Sequence, residues 1–216
     1  MTPSRFVAIL LLLSIGVSDC GAQAEDSVPV LPRILMRKLD SLVARPEVRR
    51  LTKARTAREL FQSLPIGAME RLGDEELMRF VSVFNQALGQ VSPATCANVW
   101  RTLGKPQFGE AYAEVAAEVD SVTAEAWTQL IVRLVWVELR GEQVRRRATP
   151  HEVEAVLQEL LTLIPADELS ARRRILLRNA GTDADACFLV RGVYRSMLRL
   201  PPPRVAPVFR TLMGFE

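Results

Sequence analysis

Apolar residues recur at spacings of three and four along most of the chain, and strict alternation is nearly absent, so the pattern predicts helices. After an extended lead-in at 25–31, Ile34, Leu35, Leu39, Leu42 and Val43 step at helical spacing from Pro32 until Pro46 breaks the run. Thr56 and Glu59 form a capping box for a short helix through Leu60 and Phe61. Asp74 is expected to cap a stronger helix with the stripe Leu77, Phe80, Val81, Phe84 and Leu88, closed by Gly89. Ser92-Pro93 then combines a cap with a proline at the first helical position, and its helix carries Cys96, Val99, Trp100 and Leu103.

Gln107 to Val119 reads as an Ala- and Glu-rich helix. Thr123 is expected to open the most apolar helix, with Trp127, Leu130, Ile131, Leu134 and Val135, ending in the basic run Arg145-Arg146-Arg147. Thr149-Pro150-His151-Glu152 is a strong helix start. Further helices are expected at Leu169 to Asn179, from an Asp183 cap to Leu200, and at Val205 to Met213 with a kink at Pro207. Nine or ten helices on short connections predict an all-α fold over 32–216, either a compact bundle or a short α-solenoid.

Two stretches resemble each other. Val99-Trp100-Arg101-Thr102-Leu103 matches Val208-Phe209-Arg210-Thr211-Leu212 at an offset of 109, and the same offset pairs Pro93 with Pro202 and Asp74 with Asp183. The expectation is a pair of related helical hairpins, 74–104 and 183–213.

The N-terminus reads as an address. Arg5 precedes the apolar run Phe6 to Val17, too short to span a bilayer comfortably, and Ala22-Gln23-Ala24 offers a small-x-small cleavage site. Cleavage after Ala24 would leave a periplasmic or secreted chain from Glu25. The alternative is a lipid anchor on Cys20, although Asp19 suits that processing poorly. The Ala126 to Leu139 segment is interrupted by Gln129, Arg133 and Glu138, so no membrane span is expected after the leader.

Export changes the meaning of the cysteines. An oxidising compartment favours a bridge between Cys96 and Cys187, the two beyond the leader, against the alternative of two buried thiols. Closing a loop of that length is worth about 4 kcal/mol on the chain-entropy argument. Two cysteines and His151, the one histidine, are too few soft ligands for a tetrahedral zinc, so no metal site is expected.

A net charge of +3 is too small to argue for nucleic acid. The basic residues cluster as Arg140 with Arg145-Arg146-Arg147, and as Arg172-Arg173-Arg174 with Arg178. Helix-end salt bridging is the plain reading, an anionic envelope target the sharper one. Glu110, Glu114 and Glu118 form an acidic row at spacing four: a solvated face, or a face for a basic partner or cation. Trp136 lies off the main stripe of its helix and belongs to a second buried face or a partner interface. There is no Gly-x-Ser-x-Gly elbow, phosphate loop or His-Glu-x-x-His helix, and no cofactor is implied.

These features predict a non-enzymatic exported protein that acts by binding a protein or another component of the cell envelope, an immunity or inhibitor protein being one version. The alternatives are an enzyme using Glu110, Glu114 or His151, and a carrier whose apolar cavity is lined by the Trp127 helix.

Overall fold

A computed structural model of the chain describes residues 29–62, 66–102, 108–164 and 182–213. Among them are ten α-helices, one 3-10 turn and no strand. The elements are α1 Val30–Val43, α2 Pro46–Leu51, α3 Ala57–Gln62, the 3-10 turn Ile66–Arg71, α4 Asp74–Leu88, α5 Pro93–Thr102, α6 Phe108–Glu118, α7 Ser121–Leu139, α8 Pro150–Thr162, α9 Asp183–Met197 and α10 Pro202–Met213. The helix expected at 169–179, with Arg172, Arg173, Arg174 and Arg178, lies outside the described residues, as does the leader.

Several boundaries differ from the expectation, each for a local reason. The first helix reaches back into the lead-in, where the Arg33 N–H donates to the Pro29 carbonyl. Pro46 ends α1 but also starts α2, since the first helical position needs no N–H. Asp74 and Asp183 are first helical residues, not caps: Gly73 and Thr182 precede them as N-caps, and Glu76 and Asp185 fold back to accept those residues' N–H groups at 2.9 and 3.1 Å. The cap of α7 is Asp120, whose Oδ1 accepts the Thr123 N–H at 2.7 Å. The Thr149–Glu152 box opens α8 as expected. At the far end, α9 stops at Met197 and α10 begins within the proline run, at Pro202.

The largest correction concerns the basic run. Helix α7 ends at Leu139, and Gly141 turns the chain with φ +61°. The Gly141 N–H donates to the Glu138 carbonyl and the Glu142 N–H to the Val137 carbonyl, the paired closure of a glycine-terminated helix. Arg145, Arg146 and Arg147 therefore lie on an irregular strap, residues 142–149.

The helices close around two apolar clusters. The larger gathers the inner faces of α4, α5, α6, α9 and α10 with part of α7. At its centre Phe84 stacks on Tyr112 at 4.4 Å, and Trp127 stands edge-on to both, at 5.7 and 5.0 Å. The smaller is built by α1, α2 and α3 against Val135 on the other face of α7. Helix α7 is apolar on both sides because it divides the two clusters. Each fully buried Leu or Phe contributes about 1.5–3 kcal/mol relative to exposure.

Helix α9 packs chiefly on α5, and α10 on α4. The C-terminal helices thus return onto the earlier pair. That is bundle packing rather than a solenoid, whose repeats touch only their neighbours.

Candidate functional site

Among the described residues, the strongest concentration of charged chemistry lies along the strap, where it crosses the 3-10 turn, the start of α4 and the end of α10. Glu142 accepts from Arg133 Nη1 and Nη2 at 2.8 and 3.2 Å, and its carbonyl accepts from Arg71. Arg133 Nε also donates to Glu76 Oε1 at 2.5 Å. Arg71 pairs with Glu138 at 3.0 Å. Further along, the Arg145 N–H donates to the Glu70 carbonyl at 2.8 Å and Arg147 pairs with the Glu70 carboxylate. The Ala148 N–H donates to Thr211 Oγ1 at 2.9 Å, and the one proton of that hydroxyl is shared between the Pro207 carbonyl at 3.0 Å and the Ala148 carbonyl at 3.2 Å.

Arg146 takes Glu152 in two hydrogen bonds, 2.9 and 2.8 Å. Those bonds, with the Thr149 N–H and hydroxyl, hold the Glu152 carboxyl down at about 2. Burial pushes Glu76 up, but hydrogen bonds from Arg133 and the Gly73 N–H outweigh it, helped by the charges of Arg133 and Arg145, and its acidity ends below the ordinary carboxylate range. Asp120 is lowered by the backbone and hydroxyl donors of Thr123. All three carboxyls are thus held ionised. A general acid working near neutrality needs the opposite shift, so these groups serve as struts rather than proton donors.

The acidic row is mostly absorbed in the same way. Glu114 accepts from Asn98 Nδ2 at 2.9 Å, and Glu118 accepts from the Ser92 N–H at 2.9 Å and the Thr95 hydroxyl at 2.5 Å. Both tie α6 to α5. Glu110 stands exposed in the first turn of α6, and His151 is exposed at the start of α8. No group of three metal-ligating side chains occurs among the described residues.

Trp136 is half-buried against the α1–α3 cluster, with the Arg140 guanidinium 4.8 Å above its ring. That is the second buried face. On the helix offered as the lining of an apolar cavity, Trp127 stands edge-on to the rings of Phe80, Phe84 and Tyr112.

Cys96 on α5 and Cys187 on α9 are bridged, with Cα atoms 4.9 Å apart, joining the two helices. Two features were not read from the sequence: the Arg133–Glu76–Glu142 system and the pairing of Arg210 with Asp74. A signal for the first was present, since Arg133 and Glu138 interrupt an otherwise apolar helix. No protein-family model, curated protein or solved structure matches the chain.

Proposed function

We propose that the protein is exported, to the periplasm or beyond, and acts there without catalysis by binding a protein of the cell envelope, in the manner of an immunity or inhibitor protein. The observation that carries this reading is the pairing of a leader-like N-terminus with a bridge between the two cysteines that follow it. Such bridges belong to oxidising compartments. The absence of a helix long and apolar enough to cross a membrane, among the described residues, is compatible with it.

The charged groups add support. Glu114, Glu118, Arg146 and Arg147 are engaged within the fold, as expected of a scaffold that works through its outer shape.

The test is an affinity pull-down from envelope extracts with the chain from Glu25, cysteines oxidised. Intact mass of the protein purified from its native envelope distinguishes cleavage after Ala24 from lipid on Cys20. One stoichiometric protein partner is expected. Recovery of a small molecule or lipid instead, with no partner, would move the reading to a carrier or an enzyme.

A further inference from the structure

We propose that residues 74–102 and 183–211 are two copies of one helix–turn–helix unit, whose helices pack across onto the other copy about a pseudo-twofold axis, so that the surface each presents is built for a copy of itself. The helix boundaries share one offset: Asp183 less Asp74, Met197 less Leu88 and Pro202 less Pro93 each give 109. Local bonds recur at that offset. Thr102 Oγ1 donates to the Asn98 carbonyl at 2.7 Å, and Thr211 Oγ1 donates to the Pro207 carbonyl at 3.0 Å. In the turns, the Gln90 N–H donates to Ala87 and the Arg199 N–H to Ser196.

Similar sequence alone could produce similar local bonds. The contacts between units are a stronger test, because they depend on how the two are placed. Arg101 reaches across to Asp183 at 2.6 Å, and Arg210 reaches across to Asp74 at 2.8 Å. Adding 109 to Arg101 gives Arg210, and to Asp74 gives Asp183. An isologous contact has this property: residue i meets j, and the copy of j meets the copy of i. Helix packing obeys the same exchange, since α9 on α5 becomes α10 on α4. The arrangement is that of a homodimer of helix–turn–helix units carried in one chain.

The disulfide breaks the symmetry. Under the exchange Cys187 maps to Met78 and Cys96 to Val205, both buried in the shared core. One side of the interface is stapled and the other is closed by apolar packing alone. Pseudo-symmetry therefore places Met78 and Val205 within the Cα separation a bridge requires, roughly 4.4–6.8 Å.

The experiment adds Met78→Cys and Val205→Cys to the chain from Glu25, which lacks Cys20, and maps its peptides without reduction. A second bridge, alongside Cys96–Cys187, and complete loss of thiol reactivity are expected. A second variant moves the staple across the axis, combining Met78→Cys and Val205→Cys with Cys187→Met and Cys96→Val. It is expected to form the relocated bridge and keep the helical circular dichroism of the parent. Two free thiols in a folded chain, or loss of the helical fold in both variants, overturns the proposal.

Discussion

Arg210 Nη2 lies 2.8 Å from Asp74 Oδ1 and 2.6 Å from the Leu72 carbonyl oxygen, with the Arg210 side chain 1% exposed. Its counterpart, Arg101 with Asp183, is 49% and 44% exposed. The two aspartates occupy the same place, the first helical position, so the helix dipole favours both about equally. They differ in what is stranded when they are removed.

Asp74→Ala leaves a guanidinium out of water with its countercharge gone, and is expected to lower unfolding stability by about 3 kcal/mol. Asp183→Ala leaves an arginine that water can reach, and is expected to cost under about 1 kcal/mol. Urea unfolding of the two variants in parallel gives the comparison. Equal losses would show that burial of Arg210 contributes nothing.

The Cys96–Cys187 bridge spans 91 residues of sequence. Joint replacement by alanine is expected to lower stability by about 4 kcal/mol, most of it through the freer unfolded chain. Cys96 is fully buried. Reduction of the native protein should therefore require opening of the α5–α9 contact, and its rate should rise steeply with urea. Thiol trapping against urea concentration reads this directly; rapid reduction in buffer would argue against a buried bridge.

The helical class was legible because stripes such as Leu77, Phe80, Val81, Phe84 and Leu88 repeat at a period no strand can use. Several caps were misplaced by one or more residues. Asp74 and Asp183 have the chemistry of a cap, and only the fold shows them engaged with arginines while Gly73 and Thr182 cap. The strap was missed because Glu142 to Ala148 lacks apolar periodicity, while the bonds that order it come from residues distant in sequence. For Trp136 the sequence offered a second buried face or a partner interface, and its ring is half-buried against the α1–α3 cluster. Arg146 and Arg147 were expected to form salt bridges at a helix end; they form them from the strap instead, with Glu152 and Glu70.

The Glu152 carboxyl, held at about 2, is expected to titrate far below its ordinary value of 4.5. A carboxyl depressed in the folded state contributes stability that is fully present above its unfolded value and is lost as pH falls through its folded value. The window here runs from about 4.5 down to about 2. Arg146→Ala removes the largest cause, so the midpoint should move upward while the Thr149 hydrogen bonds keep it below 4.5. Side-chain carboxyl titration by NMR in parent and variant tests this. An unchanged midpoint would show that the arginine is not the cause.

Gly141 carries the turn from α7 into the strap at φ +61°. A Cβ built there meets nothing within 4 Å, so alanine would clash with no neighbour. The cost is then confined to the backbone: left-handed geometry is unfavourable for an L-residue with a side chain by about 1–2 kcal/mol. Gly141→Ala is expected to lower stability by roughly that amount, and Gly141→Asn by less, because asparagine tolerates the conformation better. The effect should stay local. The Gly141 and Glu142 N–H groups close the helix and the Glu142 carboxylate is held by Arg133, so disturbing the turn should speed amide exchange across 140–148 before the core helices respond. Hydrogen exchange on the alanine variant separates the cases. Faster exchange confined to the strap is expected, whereas uniform acceleration across α4 and α9 would show that the turn is needed for the fold as a whole.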